Sequence, residues 1–199
     1  MKAPIEGSEH RPLLIMLAGP NGAGKSTFRS AFLANLDLPF INADILAQNL
    51  SIDSYEAARI AAEIRDNFVR DARSFITETV LSDPVGDKVR FLEKASAQGF
   101  DVVLIFIGLS SPDLSCRRVA GRVKAGGHDV PTDKLFARYQ RTLANLKRAI
   151  PLLPRIVVYD NSSYQTPYRL LGEYRSGQWN PAKNAPRLAW FDSTEFREV

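Results

Sequence analysis

The sequence predicts an α/β fold: a parallel sheet of five strands with helices on both faces and a basic lid segment beside it. Three observations carry that prediction. Short apolar runs alternate with longer segments of helical periodicity, the pattern of successive βαβ units. The first apolar run leads directly into a glycine-rich turn, "GPNGAGKST" (19–27), which opens a helix. Positive charge is gathered into one stretch, 117–148, rather than spread along the chain.

The elements follow in order. "LLIMLA" (13–18) is a short continuous apolar run, as expected of a buried parallel strand. After the glycine turn, Phe28, Ala31 and Phe32 mark one face of a helix. "FIN" (40–42) reads as a second short strand, and Asp44 follows it into "ILAQNL". Ala57, Ile60, Ala61, Ile64 and Phe68 recur at helical spacing over 53–72. "SFITET" (74–79) is strand-like, and a helix over 85–98 stops at Gly99. "DVVLIFIGL" (101–109) is the strongest strand signal in the chain. Ser110 or Ser111 with Pro112 opens a helix toward Gly126, and Pro131–Thr132 opens a long one to about Ile150. "RIVVYD" (155–160) is the fifth strand. Beyond it, "YRLLGEYRSGQW" reads as a hairpin turning at Ser176–Gly177, and the last twenty residues read as irregular.

Length and composition suit one domain over 1–199, with a core at 13–162, a basic lid region at 117–141 and a C-terminal extension at 163–199. The chain has 199 residues, 45% of them apolar and 24% charged. No apolar run approaches the ~20 residues that span a bilayer. The N-terminus lacks the apolar stretch of a signal peptide, so a cytoplasmic protein is expected. A single cysteine, Cys116, excludes an internal disulfide and a cysteine-based zinc site. It reads as a small packed residue of a helix.

Gly19, Gly24, Lys25 and Ser26 complete the pattern G-x-x-x-x-G-K-[ST] between a strand and a helix. The intervening Pro20, Asn21, Gly22 and Ala23, with Thr27 just after, belong to the same nucleotide-binding stretch. Glycines let consecutive backbone N–H groups turn inward as an anion nest, and the helix N-terminus adds partial positive charge. Lys25 is placed to reach the β- and γ-phosphates of ATP, and Ser26 to offer a hydroxyl to Mg²⁺.

Ligands of open parallel sheets sit at the carboxyl ends of the strands. Asp44 and Glu78 fall there. Asp44 is a candidate base for a substrate hydroxyl, against the plainer alternative that it caps its helix. Glu78 is a candidate to orient substrate or to hold Mg²⁺ through water, and Thr79 and Ser82 to hydrogen-bond a polar substrate. "VVLIFIGL" ends without an acid, which argues against a conventional motor or AAA-type ATPase.

Residues 117–148 hold nine lysines and arginines against Asp129 and Asp133, a local charge of +7 in a chain of net +4. The remainder therefore carries about −3. Arg118 and Arg122 are i,i+4 partners, and Arg138 lies three residues before Arg141. Like charges at this spacing repel in the absence of an anion. Converging arginines suit a phosphoryl group whose charge spreads during transfer. Gly126–Gly127 reads as the hinge of a lid, with His128 beside it as a candidate substrate contact.

Taken together, "GPNGAGKST", "INADILA", "ITETVLS", "RRVAGRVKAGGHDVP", "RYQRTLANL" and "YDNSS" resemble, in that order, the zeta toxin family of P-loop kinases. The resemblance covers about residues 13–162. It implies a fold similar to nucleotide or shikimate kinases and phosphorylation of a hydroxyl of UDP-N-acetylglucosamine. It also implies that Lys25 and Ser26 hold ATP and Mg²⁺, that Asp44 is the base and that Glu78 and its neighbours bind the sugar nucleotide. Arg118, Arg122 and Arg138 would then clamp phosphates, with Arg141 and His128 toward the substrate. For a toxin, a small antitoxin protein covering the nucleotide site is the implied partner. Val80 departs from the family pattern, where a second threonine is common. A metabolite or antibiotic kinase of the same fold, and a non-kinase NTP-binding module, stay open as alternatives. Nucleic acid is not an expected partner, since no aromatics are interleaved with the basic residues for base stacking.

Overall fold

A computed structural model describes residues 11–124 and 131–192; the side chains of residues 123 and 124 are not described. Seven strands form one sheet in the order β2-β3-β1-β4-β5-β6-β7. β1 (Leu13–Ala18), β2 (Phe40–Ile41), β3 (Phe75–Thr79), β4 (Asp101–Gly108) and β5 (Arg155–Asp160) run parallel, as the sequence predicts. The sheet does not stop there. β6 (Arg169–Arg175) and β7 (Gln178–Pro181) extend it antiparallel. They form the expected hairpin, with Ser176 (φ 47°) and Gly177 (φ 80°) at its two-residue turn.

The central strands are apolar on both faces because helices cover both. Leu14, Met16 and Ala18 of β1 point into one core with Ala61, Val89, Leu92, Ala95, Leu146 and Ala149. Ile15 and Leu17, one residue out of phase, point into the other with Phe28, Leu33 and Tyr139. The first core is covered by α3 (Ser54–Arg70), α4 (Asp87–Ala97) and the end of α6 (Thr132–Ala149). On the second face lie α1 (Lys25–Phe28) and the π-helical turn Arg29–Leu33 that continues it. That turn shifts the face: Phe28 and Phe32 pack ring on ring at 4.7 Å, while Ala31 is exposed. The sequence had placed all three together.

Local signals set the helix ends. Asp53 caps α3 by accepting from the N–H groups of Tyr55 and Glu56. Ser111 caps α5 (Pro112–Lys124), its hydroxyl accepting from Leu114 N at 3.2 Å. Gly99, at φ 94°, ends α4. α2 (Ala43–Leu50) and α3 join β2 to β3. One element escaped the sequence altogether: α7 (Ala189–Asp192), whose Trp190 and Phe191 are buried. Cys116 packs beside Val119 and Leu135, and burial pushes its thiol pKa up. Among the described residues no helix is long and apolar enough to cross a membrane.

Strand order decides what meets at the carboxyl edge. β1 lies between β3 and β4, so the turn after Ala18 sits beside the end of β3, where Leu17 pairs with Glu78 and Ala18 with Thr79. β5 ends one strand further away, with Asp160 level with Gly108.

Candidate active site

The glycine-rich turn wraps the end of β1 as its pattern requires. Gly19 adopts φ 144° and runs so close to β4 that a Cβ there would lie 2.1 Å from the Ile107 carbonyl oxygen. Gly24, at φ 85°, is the residue from which α1 starts. Lys25 is buried, and its Nζ donates to the carbonyls of Gly19 (3.1 Å) and Pro20 (3.2 Å). The Ser26 hydroxyl donates to the Glu78 carboxylate at 3.0 Å. Lys25 Nζ lies 4.0 Å from the same carboxylate.

Electrostatics binds further residues to this centre. Burial pulls the Lys25 pKa below its ordinary value. The charges of Glu78 and then Asp44 oppose that, and Arg122 adds to it. Four elements (α1, β3, α2 and α5) thus bring ionisable groups within reach of one ammonium. Asp44 is exposed in the first turn of α2. It does not cap the helix. Asn42 does, its side chain accepting from Asp44 N at 2.7 Å and Ile45 N at 3.3 Å.

The basic residues separate. Arg122 reaches the centre through its charge. Arg118 turns to the outer side of the loop, with Nη1 3.4 Å from the Gly22 carbonyl and Nη2 3.5 Å from that of Ser162. The Tyr164 ring covers its guanidinium at 4.8 Å. Arg138 is half-buried on α6, and its side chain makes no hydrogen bond to another described residue. Arg141 donates from Nε to the Ser82 carbonyl at 2.8 Å, so it holds the loop after β3. Thr79 belongs to the same loop: its hydroxyl accepts from Leu81 N at 3.1 Å. His128 and the Gly126–Gly127 joint lie outside the described residues.

Several contributors went unassigned in the sequence. Ser115 of α5 donates to the Asn21 carbonyl at 2.6 Å. Asn161, just past β5, donates to the Ala23 carbonyl at 2.8 Å, and the Tyr168 hydroxyl donates to that of Gly24 at 2.9 Å. Asn161 stood in the quoted stretch "YDNSS", but nothing local tells that its partner is the phosphate loop.

Chemically, the loop and helix start fit a polyphosphate. The hydroxyl of Ser26 and the carboxylate of Glu78 are hard oxygen donors side by side, a pair that suits Mg²⁺. Among the described residues no group of three or more His, Cys, Asp and Glu is arranged to hold a metal unaided.

A family model described as an AAA domain matches residues 14–148. An uncharacterized protein of Haemophilus influenzae is 31% identical over 129 residues, covering 63% of this chain and 91% of its own. A structure of the PezAT chromosomal toxin-antitoxin system of Streptococcus pneumoniae superposes with a TM-score of 0.53 at 19% identity, over 78% of this chain and 69% of that one. The AvrRxo1-ORF1:AvrRxo1-ORF2 complex with sulphate ions gives 0.64 at 14%, over 86% and 61%. The same complex with ATP gives 0.61 at 16%, over 86% and 60%. At such identities these structures show a shared fold. At the end of β3, the other neighbour of β1, Glu78 lies beside Ser26.

Proposed function

The chain belongs to this AAA-domain family of P-loop proteins, and from that premise we propose that it is an ATP-dependent phosphotransferase. It would move the γ-phosphoryl group of ATP to a hydroxyl of a small substrate. The observation that carries this reading is the division of labour at the start of α2. Asn42 takes the cap, and Asp44 is left with an exposed carboxylate close enough to Lys25 to act on its charge.

In the proposed reaction Asp44 accepts the proton of the acceptor hydroxyl. The oxygen forms a bond to the γ-phosphorus while the bond from that phosphorus to the bridging oxygen breaks. The electron pair of the broken bond leaves with ADP. Lys25 must first exchange the Gly19 and Pro20 carbonyls for phosphate oxygens. Ser26 and Glu78 would hold Mg²⁺, which supplies charge neutralisation on the β- and γ-phosphates when bound. Arg122 and Arg138, with Arg118 if it turns inward, would meet the equatorial oxygens. Arg141, Thr79 and Ser82 shape the acceptor side through the loop after β3. The acceptor we propose is a sugar nucleotide, UDP-N-acetylglucosamine, following the resemblance to zeta toxins. The likeness to PezAT, a toxin-antitoxin system, supports a small antitoxin as partner.

The test is incubation with ATP, Mg²⁺ and a panel of nucleotide sugars and small alcohols, read by mass spectrometry for a gain of one phosphoryl group. Asp44→Asn is expected to cut the transfer rate by about 10²- to 10⁴-fold, the usual range for a lost general base. ATP affinity should stay within about twofold, since the nest is untouched. Full activity in Asp44→Asn would remove the assignment of the base.

A further inference from the structure

We propose that Asn161 and Tyr168, on the connector between β5 and β6, are positioning residues of the phosphate loop. They hold its last two carbonyls outward so that its amides face the β-phosphate of a bound nucleotide. The proposal rests on the nucleotide-binding reading and extends it to a segment beyond residues 14–148, which the family model matches.

A nest turns successive N–H groups inward, which turns the carbonyls outward, and each carbonyl withdrawn from water needs a donor. All six carbonyls from Gly19 to Gly24 have a side-chain donor. Lys25 takes those of Gly19 and Pro20. Ser115 and Arg118 take Asn21 and Gly22 from α5. Asn161 and Tyr168 take Ala23 and Gly24. Lys25 must let go when it turns to phosphate, and Arg118 holds Gly22 only at 3.4 Å. Gly24 also accepts from Phe28 N at 2.8 Å, as the first bond of the helix, so the firm side-chain hold on Ala23 and Gly24 is what the connector adds.

Its contact there is close. A Cβ on Gly24 would lie 2.7 Å from the Tyr168 hydroxyl and 2.8 Å from Asn161 Nδ2. The connector is itself fixed. Asn161 accepts from Tyr168 N at 3.2 Å and donates its own N–H to the Gly108 carbonyl at 3.0 Å. Tyr168 packs edge-on against Phe28 of α1, with ring centroids 5.3 Å apart. Burial raises the pKa of the Tyr168 phenol. Tyr168 takes φ 51°, an uncommon backbone for a bulky residue, and the surrounding hydrogen bonds hold it there.

The experiment measures Kd for ADP and for inorganic pyrophosphate, both with Mg²⁺, by calorimetry at a temperature where each protein is fully folded. Tyr168→Phe removes one hydroxyl and keeps the ring. It should raise both Kd values by about 3- to 10-fold, the net worth of one hydrogen bond. Unchanged Kd values would overturn the proposal, whatever happens to the melting temperature. So would a loss confined to ADP, which would place the residue at the base rather than the phosphates. Should Tyr168→Phe not fold, Asn161→Ser removes the other donor and is read in the same way. An unmodified protein that binds neither ligand would instead remove the nucleotide-binding reading beneath the proposal.

Discussion

Asn42 and Asp44 show what a single side chain settles. Either residue type can cap a helix, and both stand before "ILAQNL". The backbone decides: Asn42 is extended at φ −138° and ψ 124°, where a cap belongs, and Asp44 is already in the first turn. Tyr139 is a second case. Its hydroxyl donates to the Leu109 carbonyl at 2.7 Å, and burial, with the charge of Asp160 adding, pushes its pKa up to about 12. An unfolded tyrosine titrates near 10. Between those values the unfolded chain binds fewer protons than the folded one, so stability falls as pH rises through that window. Tyr139→Phe should remove this part of the alkaline slope and cost about 1 kcal/mol near neutral pH for the lost hydrogen bond. Urea melts of both proteins near pH 7 and near pH 11 check it. Equal slopes in the two would reassign the titration to another group.

At the scale of elements, α6 is more than the carrier of Arg138 and Arg141. The Thr142 hydroxyl lies between the Val80 carbonyl (2.9 Å) and the Arg138 carbonyl of its own helix (2.8 Å), Arg141 donates to Ser82, and Asn145 donates to Leu81 (2.9 Å) and Asp83 (2.8 Å). Four consecutive carbonyls after Glu78 and Thr79 are held from one helix. The spacing was readable: 138, 141, 142 and 145 share a face at helical periodicity. Their target was not, because it lies about sixty residues back in the chain, 62 in the case of Val80. If this clasp positions the acceptor wall, rate and stability should separate. Thr142→Val keeps the shape and loses the donor, and is expected to slow transfer about tenfold. Thr142→Ser loses a buried methyl at a cost of about 1 kcal/mol but keeps the bond and most of the rate. Transfer rates set against urea midpoints decide, and a serine variant as slow as the valine one would discard the clasp as a positioning device.

For the molecule as a whole, the C-terminal segment closes the fold. Trp190 of α7 lies against Gly108 of β4, where a Cβ would come within 2.0 Å of its ring. Its Nε1 donates to Asp160 at 2.9 Å, and the Ser162 hydroxyl donates to the same carboxylate oxygen at 2.5 Å. Trp190→Ala should lower the unfolding free energy by about 3–5 kcal/mol, the usual cost of emptying a large aromatic site. Denaturant unfolding measures it, and a loss below about 1 kcal/mol would mean that α7 is not part of the cooperative core. α7 was illegible because four residues carry no period; burial against the sheet makes that helix, not its own propensity.

By itself the sequence determined the phosphate loop, the five parallel strands, the terminal hairpin and most helix ends. Each of these is written within a few consecutive residues as a glycine, a cap or an apolar period. Only the tertiary structure decided that Glu78 is the acid beside Ser26, that Asn161 and Tyr168 hold the loop, and that Arg118 and Arg141 brace backbone. Those pairs stand 52, 138 and 144 residues apart for Glu78, Asn161 and Tyr168. Hydrogen bonds between such distant positions depend on strand order and connection geometry, which no local pattern of residues encodes.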